Sequence, residues 1–208
     1  MSKRVFVHLL LLLALGALAY AAGPVGGNCD GCEYALAEQP KEFGSSARIA
    51  PRGEPGEALH IAGTVYRLDG KTPAPDVIVY AYHTNAEGVY PKLAAADGSA
   101  IRHGRLRGWA RTDAKGNYAF DTIRPAAYPG HTIPQHVHMH VIEPGIAEAY
   151  YLDDLLFSDD PFLTAEARAR QNGRGGNGIA TPTRDAGGTW QVRRDIVLGK
   201  NIPNYPAR

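Results

Sequence analysis

The stretch Pro134-Gln-His-Val-His-Met-His-Val141 alternates His136, His138 and His140 with Val137, Met139 and Val141. On a β-strand a period of two places the three imidazoles on one face and the apolar side chains on the other. Neighbouring same-face positions are about 6.5 to 7 Å apart along a strand, a span that two imidazole nitrogens can close around one metal ion. His136 and His140 are separated by about twice that, so one ion cannot take all three. A polar strand face with histidines bonded to neighbours or water is the plainer reading. Three on one face favour a metal site, because imidazole is the commonest protein metal ligand.

Two tyrosines occupy settings that packing explains poorly. Tyr90 follows Glu87-Gly88-Val89, and Tyr128 lies in Arg124-Pro-Ala-Ala-Tyr-Pro-Gly130, both at strand-to-loop exits. A free phenol ionises near pH ~10, but a hard trivalent ion bound to it stabilises the phenolate at neutral pH. Two phenolates, two neutral imidazoles and a hydroxide carry three negative charges, which match Fe(III) and over-neutralise zinc or copper. Any single one of the 11 tyrosines is more often a packing or loop residue, so the argument rests on the combination.

A chain of 208 residues is long enough for one domain with a well-buried core. Met1-Ser-Lys-Arg4, the apolar run Val5 to Ala19 and the small-residue end Ala19-Tyr-Ala21 have the three regions of a secretory signal peptide, so residues 1–21 are expected to be removed and the protein secreted or periplasmic. The apolar run is shorter than the ~20 residues of a membrane span, and no membrane attachment is expected of the mature chain. With 22 Lys and Arg against 21 Asp and Glu there is no charge excess to recruit nucleic acid. The two cysteines, in Asn28-Cys-Asp-Gly-Cys-Glu33, lack the second pair of a zinc ribbon, and in an exported chain they favour a local disulfide over a redox centre.

Short strands make up most of the framework around these residues. Residues 22–59 are rich in Gly, Pro, Glu and Ser and read as an arm carrying the cysteine pair. From residue 60 to 208 strand-like runs alternate with Gly, Pro, Asp and Asn punctuation, the pattern of an all-β, antiparallel two-sheet sandwich with long loops. Strands are expected over 61–68, 77–83, 109–112, 118–123, 135–142 and 190–198. Asp113-Ala-Lys-Gly116 suits a hairpin turn, so 109–112 and 118–123 are expected to pair. Thr164 as N-cap and Ala165, Ala167 and Ala169 predict one short helix ending at Asn172-Gly173, followed by a Gly-rich loop over 174–188.

Read in order, Gly63-Thr-Val65, Asp69-Gly70, Glu87-Gly-Val-Tyr90, Gly108-Trp-Ala-Arg-Thr-Asp113, Gly116-Asn-Tyr-Ala-Phe120, Thr122-Ile-Arg-Pro125, Tyr128-Pro129 and Pro134-Gln-His-Val-His138 resemble the intradiol ring-cleavage dioxygenases, the group of protocatechuate 3,4-dioxygenase and catechol 1,2-dioxygenase, and most of all their secreted single-domain branch. The resemblance spans roughly residues 61–161. It implies a non-haem Fe(III) centre in a β-sandwich, held by Tyr90, Tyr128, His136 and His138, with a small aromatic diol and O2 as partners and self-association left open. It also implies that Tyr128 is the phenolate displaced by substrate, that Tyr90 stays bound, and that His140 is a same-face neighbour of the ligands.

Two departures stand out. The family's arginine three residues before the first histidine is Ile133 here, with Arg102, Arg105 or Arg107 as loop candidates to supply its charge and Arg102 favoured, because it lies between the tyrosine elements. The family's glutamine after the histidine strand falls near Asp154, which with Tyr128 and Arg102 completes the expected catalytic set. The step from Tyr128 to His136 is short for the family, so the pocket rim should differ. Competing readings are a cupin metal motif, which would need a further histidine after His140, and a non-catalytic transthyretin-like or carbohydrate-binding sandwich.

Overall fold

The structure, a computed structural model, describes residues 23–206 apart from Asp30, so the expected signal peptide lies outside the described residues. Among the described residues, twelve strands fill two six-stranded sheets. One sheet contains β1 (Ser46–Arg48), β2 (Ala58–Tyr66), β5 (Asn117–Ile123), β10 (Thr183–Arg184), β11 (Trp190–Arg193) and β12 (Ile196–Val197), with β2 at its centre between β5 and the β11/β12 pair. The other contains β3 (Ile78–Tyr82), β4 (Arg107–Arg111), β6 (His136–Ile142), β7 (Tyr150–Tyr151), β8 (Leu155–Phe157) and β9 (Ile179–Ala180) in the order β4-β3-β6-β8-β9, β7 pairing with β6. The long pairings β2 with β5, β3 with β4 and β3 with β6 are antiparallel, while β1 joins β5, β9 joins β8, and β11 and β12 join β2 in parallel.

The sandwich follows from period-two patterning. Val137, Met139 and Val141 of β6 and Val79 and Ala81 of β3 are fully buried between the sheets against Ile61, Val65 and Phe120. The opposite face of β3 and β6 carries Tyr80, Tyr82 and the three histidines. There Tyr80, Tyr82 and Trp109 form a separate aromatic cluster with Cys32, Ala35 and Ala149, under the N-terminal arm. That arm is ordered by docking: a short 3-10 helix, Cys32–Ala35, packs on the cluster, and Trp109 donates its indole N–H to the Ala35 carbonyl at 2.7 Å. β2 already begins at Ala58, two residues inside the stretch read as arm.

The turn at Asp113–Gly116 forms, but its strands do not pair: β4 bonds to β3 and β5 to β2, in different sheets. Gly116 has φ 74°, and its carbonyl accepts the Val65 N–H at 2.8 Å, with Val65 O only 2.5 Å from where a Cβ would sit. This docking onto β2 carries the chain from one sheet to the other. The run 190–198 likewise splits into β11 and β12 at Arg194-Asp195, and the Gly-rich stretch 174–188 contains β9 and β10. The expected helix is α1 (Ala165–Ala169), capped by the Thr164 side chain, which accepts the Ala167 N–H at 3.2 Å.

Candidate metal centre

β6 presents His136 and His138 toward a cleft at the edge of the outer face, and each ring is held by its Nδ1. His136 Nδ1 lies 2.7 Å from the Pro134 carbonyl, which can only accept, so the proton resides on Nδ1 and Nε2 carries a bare lone pair. His138 Nδ1 lies 2.8 Å from Asp154 Oδ1, which also accepts the Tyr151 hydroxyl at 2.6 Å. Burial opposes charge on Asp154, but His138, His136 and the two hydrogen bonds outweigh it and hold the carboxyl below its ordinary value. His138 is further fixed by stacking on Tyr82, ring centroids 4.5 Å apart.

The tyrosines arrive on two loops clamped together. Asn85 Oδ1 accepts the N–H groups of Glu87 and Val89, Asn85 O accepts from Ala126, and the Thr84 hydroxyl donates to the Ala126 carbonyl at 2.7 Å. Gly88, at φ 77°, brings the Tyr90 loop so close to the Tyr128 loop that a Cβ would lie 2.0 Å from Ala127 O. The glycine of the Gly-Val-Tyr element is thus required by close backbone approach as well as by its positive φ.

Four donor atoms meet as a result. Tyr90 and Tyr128 hydroxyls are 2.5 Å apart, Tyr128 Oη is 3.1 Å from His136 Nε2 and 3.5 Å from His138 Nε2, Tyr90 Oη is 2.9 Å from His138 Nε2, and the two Nε2 atoms are separated by 3.2 Å. Two hydroxyl protons can bridge only two of these five contacts. The rest bring lone pairs face to face in a partly buried site, an arrangement a cation relieves. Burial also pushes both phenols above their ordinary value, that of Tyr90 further because Tyr128 adds a second acidic neighbour. Phenolate at neutral pH here therefore requires a strong positive partner, and two oxygens with two nitrogens suit a hard, highly charged iron ion better than a soft one.

A cavity of about 430 Å³ opens onto the cluster. Tyr128, His136, His138 and Asp154 form its inner end, Ile133 and Leu156 its apolar walls, and Arg170 and Gln171, from the end of α1, its polar rim. Tyr90 does not line the cavity. Arg102 is not brought to this cleft either: its guanidinium carbon lies 5.7 Å from the Tyr34 ring centroid on the arm side. Arg105 pairs with Glu54, and Arg107 stacks on Trp109. Asp154 touches the donor cluster through His138 Nδ1, at 2.8 Å. His140 stays away from the donor cluster, its Nδ1 3.3 Å from Cys32 Sγ. Sequence reasoning does not single out Tyr151 or Arg170, since neither lies in a motif and only folding carries α1 to the cleft.

Fold and site together define a β-sandwich protein with a cluster of two phenol oxygens and two imidazole nitrogens suited to a metal ion. A family model described as dioxygenase matches residues 35–193. The chain is 28% identical over 134 residues to catechol 1,2-dioxygenase 2 of Acinetobacter lwoffii, covering 56% of this chain and 46% of that protein. It is 28% identical over 171 residues to the protocatechuate 3,4-dioxygenase beta chain of Burkholderia cepacia, covering 76% and 72%. It therefore spans about half the length of the first relative and nearly three quarters of the second. Among solved structures, the dioxygenase domain of a dioxygenase carbohydrate-binding protein fusion from Streptomyces sp. SirexAA-E matches with TM-score 0.54 at 21% identity, covering 76% of this chain and 90% of that one. Catechol 1,2-dioxygenase from Acinetobacter sp. ADP1 matches with TM-score 0.56 at 20% identity, covering 83% and 63%. The chain belongs to the dioxygenase family, among the intradiol ring-cleaving dioxygenases, a family of oxidoreductases that use non-haem iron.

Proposed function

We propose that this chain cleaves catechol-type aromatic diols between the two hydroxylated carbons, giving muconate-type diacids that contain both atoms of O2. The observation that carries this reading is the convergence of Tyr90, Tyr128, His136 and His138 donor atoms within 2.5 to 3.5 Å of one another at the end of a cleft. Fe(III) held by these four residues supplies Lewis acidity that makes a bound diol reactive toward O2. The Pro134 carbonyl and Asp154 keep His136 and His138 in the tautomer that offers Nε2 as donor. Tyr128, which lines the cleft, would accept a hydroxyl proton of the incoming diol at Oη, and Tyr90 would hold the metal. Ile133 and Leu156 exclude water from the ring face.

The purified chain is expected to carry about one iron per molecule and a reddish phenolate-to-iron charge-transfer band. Elemental analysis with a visible spectrum checks this, and a colourless protein that cannot be reconstituted with iron overturns it. Oxygen uptake with catechol should yield a muconate; a semialdehyde product rejects the bond assignment. Tyr90→Phe is expected to lose more iron than Tyr128→Phe, which keeps metal but loses the proton acceptor. Equal iron and equal activity in both contradict the roles. The basic, apolar and small-residue leader supports action outside the cytoplasm, which N-terminal sequencing of the exported protein tests by whether the chain starts near Ala22.

A further inference from the structure

The third histidine of β6 takes no part in the iron centre. His140 is 1% exposed, its Nε2 has no hydrogen-bond partner among the described residues, and its Nδ1 faces the Cys32 sulfur at 3.3 Å. Cys32 is joined to Cys29 in a disulfide, and a disulfide sulfur is a poor acceptor, so neither ring nitrogen has a strong partner. The Cys29 and Cys32 sulfurs and an imidazole nitrogen of His140 all lie within 4.8 Å of one another.

Bond lengths of ~2.3 Å to sulfur and ~2.0 Å to nitrogen give a tetrahedral zinc site a sulfur-to-nitrogen edge of roughly 3.5 Å, close to the Cys32–His140 separation. The two-residue spacing of the cysteines, with Cα atoms 5.6 Å apart, is also that of zinc-binding cysteine pairs. A cavity of about 470 Å³ opens over the pair, with Glu33 and Glu148 on its walls, so a fourth coordination position faces solvent and carboxylates.

We propose that the reduced Cys29/Cys32 pair and His140 Nδ1 form a second metal site, selective for soft or borderline divalent ions such as Zn²⁺, and that the disulfide is its closed form. Reduction by a thiol breaks the Cys29–Cys32 bond: two RSH become RSSR, and each cysteine gains a hydrogen. The partly exposed Cys29 sulfur, at the cavity, is the point of attack. Binding the divalent ion releases one proton from each thiol and makes two metal–sulfur bonds and one metal–nitrogen bond. Two thiolates and an imidazole select a soft ion where two phenolates and two imidazoles select a hard one, so adjacent histidines of one strand serve two different metals. In the reduced form the metal ties the arm to β6 through His140, whereas the disulfide links two residues of the arm to each other.

The test uses the full mature chain, reduced with a non-coordinating phosphine under argon and equilibrated with Zn²⁺ against a chromophoric chelator. Reduced wild type is expected to hold one zinc per chain more than either oxidised wild type or the Cys29→Ser/Cys32→Ser variant. Replacing zinc with Co²⁺ should add a thiolate-to-cobalt charge-transfer band, which the Tyr/His centre cannot produce. His140→Gln is expected to weaken zinc binding by roughly tenfold or more. X-ray absorption of zinc-loaded reduced wild type should show two sulfurs and at least one imidazole, independently of whether the His140 variant folds. No extra zinc on reduction, or a sulfur shell without imidazole, overturns the site.

Discussion

Asp154 and Tyr151 show how much of the proposed iron centre lies outside the four residues that would hold the metal. Asp154 Oδ1 takes the His138 Nδ1–H and the Tyr151 hydroxyl together, which fixes both the tautomer and the ring plane of His138. Asp154→Asn is expected to weaken iron binding 10- to 100-fold with the melting temperature little changed, measured by competition with an iron chelator; unchanged affinity removes the positioning role. At the same scale the cleft's cation is Arg170, which lines it, and not Arg102, which lies against Tyr34. An exposed guanidinium contributes less than the 10²–10³ in rate of a buried donor, so Arg170→Ala is expected to slow catechol turnover by roughly tenfold at equal iron content. Arg102→Ala should leave turnover near wild type, and the reverse ranking would restore the loop arginine.

At the scale of elements, the site depends on two loops meeting above one strand. β6 is rigid because β3 flanks it on one side and β7 and β8 on the other, while the tyrosines hang on loops that hold each other through Asn85, Thr84 and the bare Gly88. Gly88→Ala adds a Cβ where Ala127 O already stands and forces a side-chain residue to φ 77°. The cost, about 1–3 kcal/mol of local strain, falls on the Tyr90/Tyr128 contact and not on the sheets. The expected outcome is loss of most bound iron and of colour with the sandwich still folding cooperatively by circular dichroism. Full iron occupancy in this variant would show that the loops are not set by that contact.

For the whole molecule, buried histidines make folding sensitive to acid. His83 is fully buried between the Thr84 carbonyl and the Thr122 hydroxyl, and burial lowers its pKa from 6.5 to about 4. Burial likewise takes His103 to about 3. A histidine whose folded pKa is depressed binds more protons when unfolded, so its contribution is complete above pH 6.5 and drains away as the pH falls toward the folded value. For His83 that amounts to about 3 kcal/mol. Melting of the metal-free chain should therefore fall steeply between pH 6.5 and 4, and His83→Gln should flatten that slope; a pH-independent melting temperature over this window contradicts the assignment.

Much of this was legible in the chain itself. Alternation alone set His136, His138 and His140 on one face and Val137, Met139 and Val141 in the core, because side-chain direction in a strand is fixed by position parity. Thr164 marked the start of α1 by the same local logic, since a cap is satisfied within one turn. Pairing partners were not legible: the Asp113–Gly116 turn has hairpin chemistry, yet a backbone bond from Val65 sends β5 to the other sheet. Nor could the sequence decide which arginine reaches the cleft or that His140 turns to the cysteines, because the cleft gathers residues from Tyr128 to Gln171 and the His140–Cys32 contact joins residues 108 positions apart. Local rules see side-chain type and spacing; only closure of the two sheets brings α1, the arm and β6 to one face.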